Sequence, residues 1–337
     1  MPTPLNDTQT SKIADTNTVL TESLSTIRNN DTVGSAPISE KPVDLRVLFH
    51  AIGAQTQPQR SLTASPAERL EPEIPVEMLD EQRCKVTAQP LNPLGFIDGI
   101  QAALTVTWRE HRPVYLTFVA AGCVAGNSKG RAELIDVRER LDLVASHEDA
   151  EWLSELPDHA SLVLLDATTP DEVERAALAR LGADRDLMER ELVASLLSTS
   201  AGVIVLDGSL AKRPVDERLV GVVKTTRTKW LPDETVLWGM PEGWRSPRFK
   251  IPAGTHGVTR DRYSCYLRLF NAKNRAWDHG LIRLEAYDAD ILDSLAALAM
   301  ADRQSTRSRD KRGDRHLGSV RACENVLRAR RPVVFNQ

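Results

Sequence analysis

With 337 residues, 41% hydrophobic and 27% charged, the chain is long enough to bury a substantial core as one large domain or two modest ones. A formal net charge of −4 means that any nucleic-acid contact must use a local basic patch, because total charge would repel phosphate. No run of about 18 apolar residues marks a transmembrane helix, and the start MPTPLNDTQTSK lacks the basic and apolar stretches of a secretory signal. Four cysteines (Cys84, Cys123, Cys265, Cys323) stand far apart without a CxxC pair. They suit a reducing cytoplasm and spell neither a disulfide framework nor a zinc site, so the expected compartment is cytoplasmic.

Residues 1–40 are rich in Thr, Ser, Asn and Asp and poor in aromatics, which predicts a disordered N-terminal segment. Residues 41–90 read as an N-terminal extension or linker. Within it VDLRVLFHAIGAQ suggests a short helix, and PAERLEPEIPVEMLDEQ an extended stretch followed by a helix. From 91 to 337 the pattern is that of a single mixed α/β domain. GFIDGIQAALTVTW and VYLTFVAAGCVA, separated by HRP, read as an antiparallel pair. Residues 131–144 read as a third strand or a short helix, and SLVLLDA as a buried strand. PDEVERAALARLGADRDLMERELVASLLSTS is helical, with Leu187, Leu192, Leu196 and Leu197 on roughly one side. GVIVLDGSL is a central strand ending in a carboxylate, and RLVGVVKTTRTKWL a strand ending in a basic loop. SCYLRLF and GLIRLEAY form a further pair, and two terminal helices run through DADILDSLAALAMADRQ and GSVRACENVLRARR. A sheet that begins antiparallel and continues through helical crossovers is expected.

Four constellations could carry chemistry. Asp98 in FIDG and Asp207 in VLDG each follow an apolar strand. A strand end holds a carboxylate rigidly, and the neighbouring glycine admits a close approach. Two such carboxylates on neighbouring strands suit a shared divalent cation, with oxygen ligands favouring Mg²⁺ or Mn²⁺. Taken singly, each Asp-Gly reads equally as the start of a turn. The helix carrying Glu189, Arg190 and Glu191 could present a glutamate to the same place, although surface ion pairing explains those residues as well. Lys224, Arg227 and Lys229 follow a strand and suit a phosphate backbone or a solvated loop. The stretch from Arg303 to Arg331, with Arg303, Arg307, Arg309, Lys311, Arg312, Arg315, Arg321, Arg328, Arg330 and Arg331, is either a basic nucleic-acid face or a protein-partner surface. Absent motifs (GxxxxGK[ST], GxGxxG after a strand, HExxH, GxSxG) disfavour an NTPase, a Rossmann dehydrogenase, a zincin and an α/β-hydrolase.

In order, FIDGIQ (96–101), FVAAGCV (118–124), the helix ending in ERELVASLL, VIVLDGSL (203–210), VGVVKTTRTKWL (220–231), YSCYLRLF (263–270) and GLIRLEAY (280–287) resemble the NurA family of nucleases, over roughly residues 90–330. The resemblance implies an RNase H-like mixed sheet flanked by helices, a homodimer, and Mn²⁺- or Mg²⁺-dependent cleavage of DNA. It also implies partnership with a HerA-type hexameric ATPase, in end resection for DNA repair or in anti-phage defence. Residue by residue, it places the metal ligands at Asp98, Glu191 and Asp207, with Glu189 as the alternative if the helix is shifted by two, and a catalytic lysine at Lys224. The first motif reads Asp-Gly-Ile where archaeal members have Asp-Gly-Ser. Their C-terminal Tyr and His fall here on His316 and Glu324, which could still bind metal or position water. Arg227, Lys229 and Arg315 are the expected DNA contacts. The competing expectation is a clamp or adaptor of the same fold that binds DNA or the ATPase without cleaving.

Overall fold

The computed structural model describes residues 76–126, 132–154, 161–224, 230–255, 259–305 and 313–336, all within one compact unit that spans Leu45–Gln337. Segment 1–40, the short helix expected at VDLRVLFHAIGAQ, and Arg227, Lys229, Arg307, Arg309, Lys311 and Arg312 lie outside the described residues.

The strands in chain order are β1 (Glu77–Met78), β2 (Cys84–Lys85), β3 (Gly95–Arg109), β4 (Arg112–Gly126), β5 (Ala132–Ser146), β6 (Ser161–Leu165) and β7 (Ile204–Asp207). They continue with β8 (Leu219–Val223), β9 (Trp244–Arg245), β10 (Phe249–Ile251), β11 (Arg262–Arg268), β12 (Leu281–Ala286), β13 (Arg303–Gln304) and β14 (His316–Leu317). The α-helices are α1 (Ala150–Ser154), α2 (Pro170–Thr199), α3 (Thr235–Trp238), α4 (Ile291–Asp302) and α5 (Gly318–Arg330).

β3 and β4 form the expected antiparallel pair, closed at Glu110 and His111 with φ of 46° and 70°. Left-handed values at both residues are what a two-residue hairpin needs to match the twist of its strands. Residues 132–146, open between strand and helix in the sequence, form β5, antiparallel to β4. α2 opens on a capping box: Thr169 Oγ1 accepts from Glu172 N–H while Glu172 accepts from Thr169 N–H, and Pro170 fills the first turn.

A twelve-stranded mixed sheet runs β1-β10-β11-β12-β8-β7-β3-β4-β5-β6, with β9 and β2 branching from β11. β3, β7 and β8 are mutually parallel, and β4 is antiparallel to β3 and β5. α2 covers one face, packing Met188, Leu192, Val193 and Leu196 on Ile97, Leu206 and Leu219. α4 and α5 cover the other, packing Leu295, Val320 and Leu327 on Phe96, Val205, Val222 and Leu284. Each large apolar side chain so buried contributes about 1.5–3 kcal/mol.

Two expectations are corrected here. SLVLLDA forms β6 at the sheet's edge, parallel to β5; Val163 and Leu165 pack against α2, while Leu162 and Leu164, on the other face, are each 41% exposed and join no buried cluster among the described residues. Its apolar run records edge packing, not a central position. In the extension, residues 76–90 contain no helix; β1 pairs with β10 and β2 with β9, so this part joins the sheet. Asp80 secures it by bonding both Arg245 and Arg248.

Candidate active site

The site starts from strand register. β3 and β7 run parallel with Ile97 opposite Leu206, so the next step sets Asp98 beside Asp207. Side chains alternate, and Phe96 and Val205 face α4 and α5; both carboxylates therefore project toward that face. β7 ends at Asp207 whereas β3 continues to Arg109, so Asp98 stands where β3 loses its parallel neighbour. Gly208, with φ of 144°, turns the chain away in a conformation that disfavours side chains. The result is a notch at the end of a central strand, bordered by two carboxylates.

Its electrostatics are strained in one direction. Burial, then the adjacent Asp207 charge, pushes the Asp98 carboxyl well above the usual carboxylate range, against the opposing pull of Lys224 and the Gly99 N–H. Glu324, on α5, adds to the repulsion. Lys224, buried just beyond β8, donates to Asp207 Oδ2 at 2.8 Å and approaches His316 Nδ1 at 3.3 Å. An ammonium group has donors only, so His316 Nδ1 is the acceptor of that contact. The structure thus gathers Asp98, Asp207, Lys224, His316 and Glu324 on one side, from segments more than two hundred residues apart in sequence.

Of the two helical glutamates, Glu189 and not Glu191 is the one turned to the sheet. Glu191 is half exposed and accepts from Arg138 on β5 at 2.8 Å. Two positions along a helix differ by about 200° around its axis, so only one of the pair can face the sheet. Glu189 is buried; its Oε2 accepts from Arg213 Nη2 at 2.6 Å, and Arg213 Nη1 is held in turn by Asp186 at 2.7 Å. Its other oxygen, Oε1, lies over Gly99, where a Cβ would collide with it. Burial raises the Glu189 carboxyl, Arg213 and Arg185 lower it, and Asp186 and Asp207 raise it further. The glycine after Asp98 is therefore the gap through which Glu189 reaches the backbone beside Asp98.

Several residues escaped the sequence reading. Glu285 on β12 is fully buried and accepts from Leu210 N at 2.7 Å, Ser209 Oγ at 2.9 Å and Arg262 Nη1 at 3.3 Å, with Arg283 bonded to its second oxygen. These bonds with positive partners hold its carboxyl low despite burial, and they clamp the chain directly after Asp207. A glutamate inside the apolar strand LIRLEA was the available signal. Arg213, which orients Glu189, carried no signal beyond its charge.

Other expected residues are placed differently. Arg315, read as a DNA contact, is buried; it donates to the Lys224 carbonyl at 3.0 Å and to Asp278 at 2.5 Å, so its guanidinium is engaged within the fold. The basic tail is largely neutralised where it is described: Arg303 pairs with Glu242, Arg328 with Glu324 and Arg330 with Glu139. Carboxylates distant in sequence meet these arginines only in the folded chain.

Comparison with known protein families finds no family model that matches this chain, and comparison with curated proteins finds no significant match. The resemblance to the NurA family rests on the quoted residues alone. Among the described residues, no three His, Cys, Asp or Glu side chains stand close enough to make a closed metal cage. The donor set nevertheless fits a hard divalent cation. Mg²⁺ commonly binds through one or two carboxylates, retaining waters and taking substrate phosphate oxygens. Adjacent carboxylates whose mutual repulsion raises Asp98 are such a pair, and a cation between them would relieve it. No helix among the described residues is long and apolar enough to cross a membrane.

Proposed function

We propose that this chain is a divalent-metal-dependent DNA nuclease of the NurA type, hydrolysing phosphodiester bonds at DNA ends. The observation that carries the reading is the Asp98–Asp207 pair, set side by side by the parallel β3–β7 register at the open end of β7. The strand order β5-β4-β3-β7-β8, with β4 opposed to the other four, supports the RNase H-like fold that the resemblance implies. Partnership with a HerA-type ATPase, a homodimer, and a role in end resection or anti-phage defence belong to the same proposal.

Asp98 and Asp207 would hold Mn²⁺ or Mg²⁺ on the α4 and α5 face, while Glu189 Oε1 lies over Gly99 on the α2 face. When bound, such ions activate water and stabilise the departing 3′ oxygen. The chain's own residues do the positioning. Glu285 fixes the loop after Asp207, Arg213 fixes Glu189, and Lys224 holds Asp207 while offering positive charge where a phosphate would gain negative charge. His316, as acceptor, holds the Lys224 ammonium in place.

The adaptor reading has one observation in its favour: Lys224 already neutralises Asp207, and no three-ligand cage is assembled among the described residues. The deciding experiment is digestion of linear duplex DNA by the purified chain with Mn²⁺ or Mg²⁺, with and without the ATPase, against Asp207→Asn. That change is nearly isosteric and removes only the charge. The variant is expected to fold and bind DNA while cleavage falls by orders of magnitude. Equal cleavage by both proteins places the active site elsewhere, and no cleavage by the wild type with any metal favours the adaptor.

A further inference from the structure

We infer that Trp277 is a stacking platform for an unpaired base of the DNA strand that reaches the Asp98–Asp207 notch, an inference that rests on the nuclease reading above. β12 is antiparallel to both β11 and β8, and β8 is parallel to β7. The loop from β11 to β12 therefore leaves the sheet at the end where β7 and β8 stop. Asp207 is level with Val222, and Arg283 with Val223. Gly280, at the root of the loop, then lies roughly 15 Å from Asp207 by strand spacing and rise. A single strand covers that span within the roughly 4–16 nucleotides that such binding sites occupy. Leu269 and Phe270, which open the loop, pack with the α4 and α5 core, on the face that carries both carboxylates.

The loop is held firmly at its root and bare at its tip. Leu269 N–H donates to the Gly280 carbonyl at 2.7 Å and closes the neck. Fully buried Arg268 donates to the His279 carbonyl, and Asp314 accepts from Gly280 N–H and lies 3.0 Å from His279 Nδ1. Arg315 holds Asp278 and also the Lys224 carbonyl, while Lys224 holds Asp207, so one run of bonds ties the loop to the notch. Burying two guanidinium groups is costly, yet what they fix is a segment whose residues 273–277 all lie exposed. Trp277, 44% exposed, presents a large apolar ring there. Its neighbours decide the partner. Lys273 and Arg275 alternate with it along the loop, and Asp278, the carboxylate of residues 271–279, is neutralised by Arg315, which leaves the tip positive. Cations for the phosphates beside an aromatic face for the bases hold single strands whatever their sequence. A ring fixed in advance also binds without the cost of ordering a loop.

The test is binding of two fluorescein-labelled probes to the full chain, an oligothymidylate and an abasic oligomer of equal length, followed by anisotropy over a NaCl series. Ca²⁺ replaces Mg²⁺ or Mn²⁺ to hold back cleavage. One stacked base is worth about tenfold in affinity, so the wild type should prefer the thymidylate by that factor. Trp277→Ala should lose the preference, binding thymidylate about tenfold more weakly and the abasic oligomer as before. Its slope of log K against log salt should equal that of the wild type, because no charge is removed. Trp277→Phe, which keeps a ring, should recover most of the affinity. Wild-type affinity of Trp277→Ala for thymidylate overturns this inference alone and leaves the ring to a protein partner. Equal losses on both probes also overturn it, since a base would then play no part. Absence of DNA binding by the wild type overturns the nuclease reading with it. Should Trp277→Ala show no melting transition, Trp277→Leu decides by the same ratio of affinities: a lost preference upholds the inference, and a retained one refutes it.

Discussion

Gly99→Ala tests the site with a single methyl group. The added Cβ would stand 2.9 Å from Arg185 Cγ and 3.1 Å from Glu189 Cδ, and would overlap Glu189 Oε1. Carbon atoms in ordinary contact sit at about 3.5–4.0 Å, so these groups must withdraw by roughly 0.5–1 Å. Glu189 cannot swing away freely, because Arg213 grips its Oε2 at 2.6 Å and Asp186 grips Arg213. The strain therefore falls on Oε1, the oxygen turned toward the Gly99 backbone. Misplacing a reacting group by about 1 Å costs on the order of 100-fold in rate. Overpacking of this kind costs about 1–3 kcal/mol of stability, and each kcal/mol lowers Tm by about 2–4 °C in a domain of this order. The assay is linear-duplex cleavage at saturating Mn²⁺, paired with a thermal melt. Gly182→Ala is the internal control: it lies within α2 with nothing inside 4 Å of its Cβ position. Alanine there should add about 0.5–1 kcal/mol of stability and leave cleavage unchanged. A folded Gly99→Ala that cleaves at the wild-type rate refutes the argument that the position of Glu189 matters. An equal loss in both variants would assign the effect to general destabilisation.

Two further outcomes are expected. Glu189→Gln should abolish most cleavage, whereas Glu191→Gln should lose only its exposed ion pair with Arg138, worth about 0.2–1 kcal/mol, at full activity; rates in the opposite order would return the catalytic role to Glu191. Acid stability should depend on Asp80. Burial raises its carboxyl, but bonds from Arg248 and Arg245 outweigh that and bring it from 3.8 to about 2. A lowered carboxyl contributes stability that is present above pH 3.8 and lost as pH falls toward 2, roughly 2 kcal/mol in all. Tm measured from pH 5 to pH 2 should therefore fall less steeply in Asp80→Asn than in the wild type, and parallel curves would show that the Asp80 bonds add nothing.

Much of this architecture was legible because its causes are local. Alternation and the intervening turn residues spell the β3–β4 hairpin, Thr-Pro-Asp-Glu spells the start of α2, and the Asp-Gly at 207–208 marks where β7 runs out, whereas β3 continues through Asp98-Gly99 to Arg109. Those signals also brought Asp98 and Asp207 forward together, since a carboxylate closing an apolar run is costly to bury without a purpose. The site's second ring was not legible. Glu285 meets Ser209 across 76 positions, His316 meets Lys224 across 92, and neither pairing leaves a trace in spacing.

Sequence by itself determined most elements after residue 91 and singled out the two carboxylates beside Gly, because both follow from backbone periodicity and the cost of burying charge. Tertiary structure alone decided the rest. Periodicity says that Glu189 and Glu191 point apart but not which faces the sheet; the packing of Leu192 and Leu196 on Ile97 and Leu206 sets that phase. Composition says that the C-terminal stretch is basic, yet Glu139, Glu242 and Asp278, brought up from elsewhere in the chain, claim Arg330, Arg303 and Arg315. An apolar run such as β6 looks the same at an edge as in the middle of a sheet, since what differs is the neighbour, and neighbours are chosen only when the chain folds.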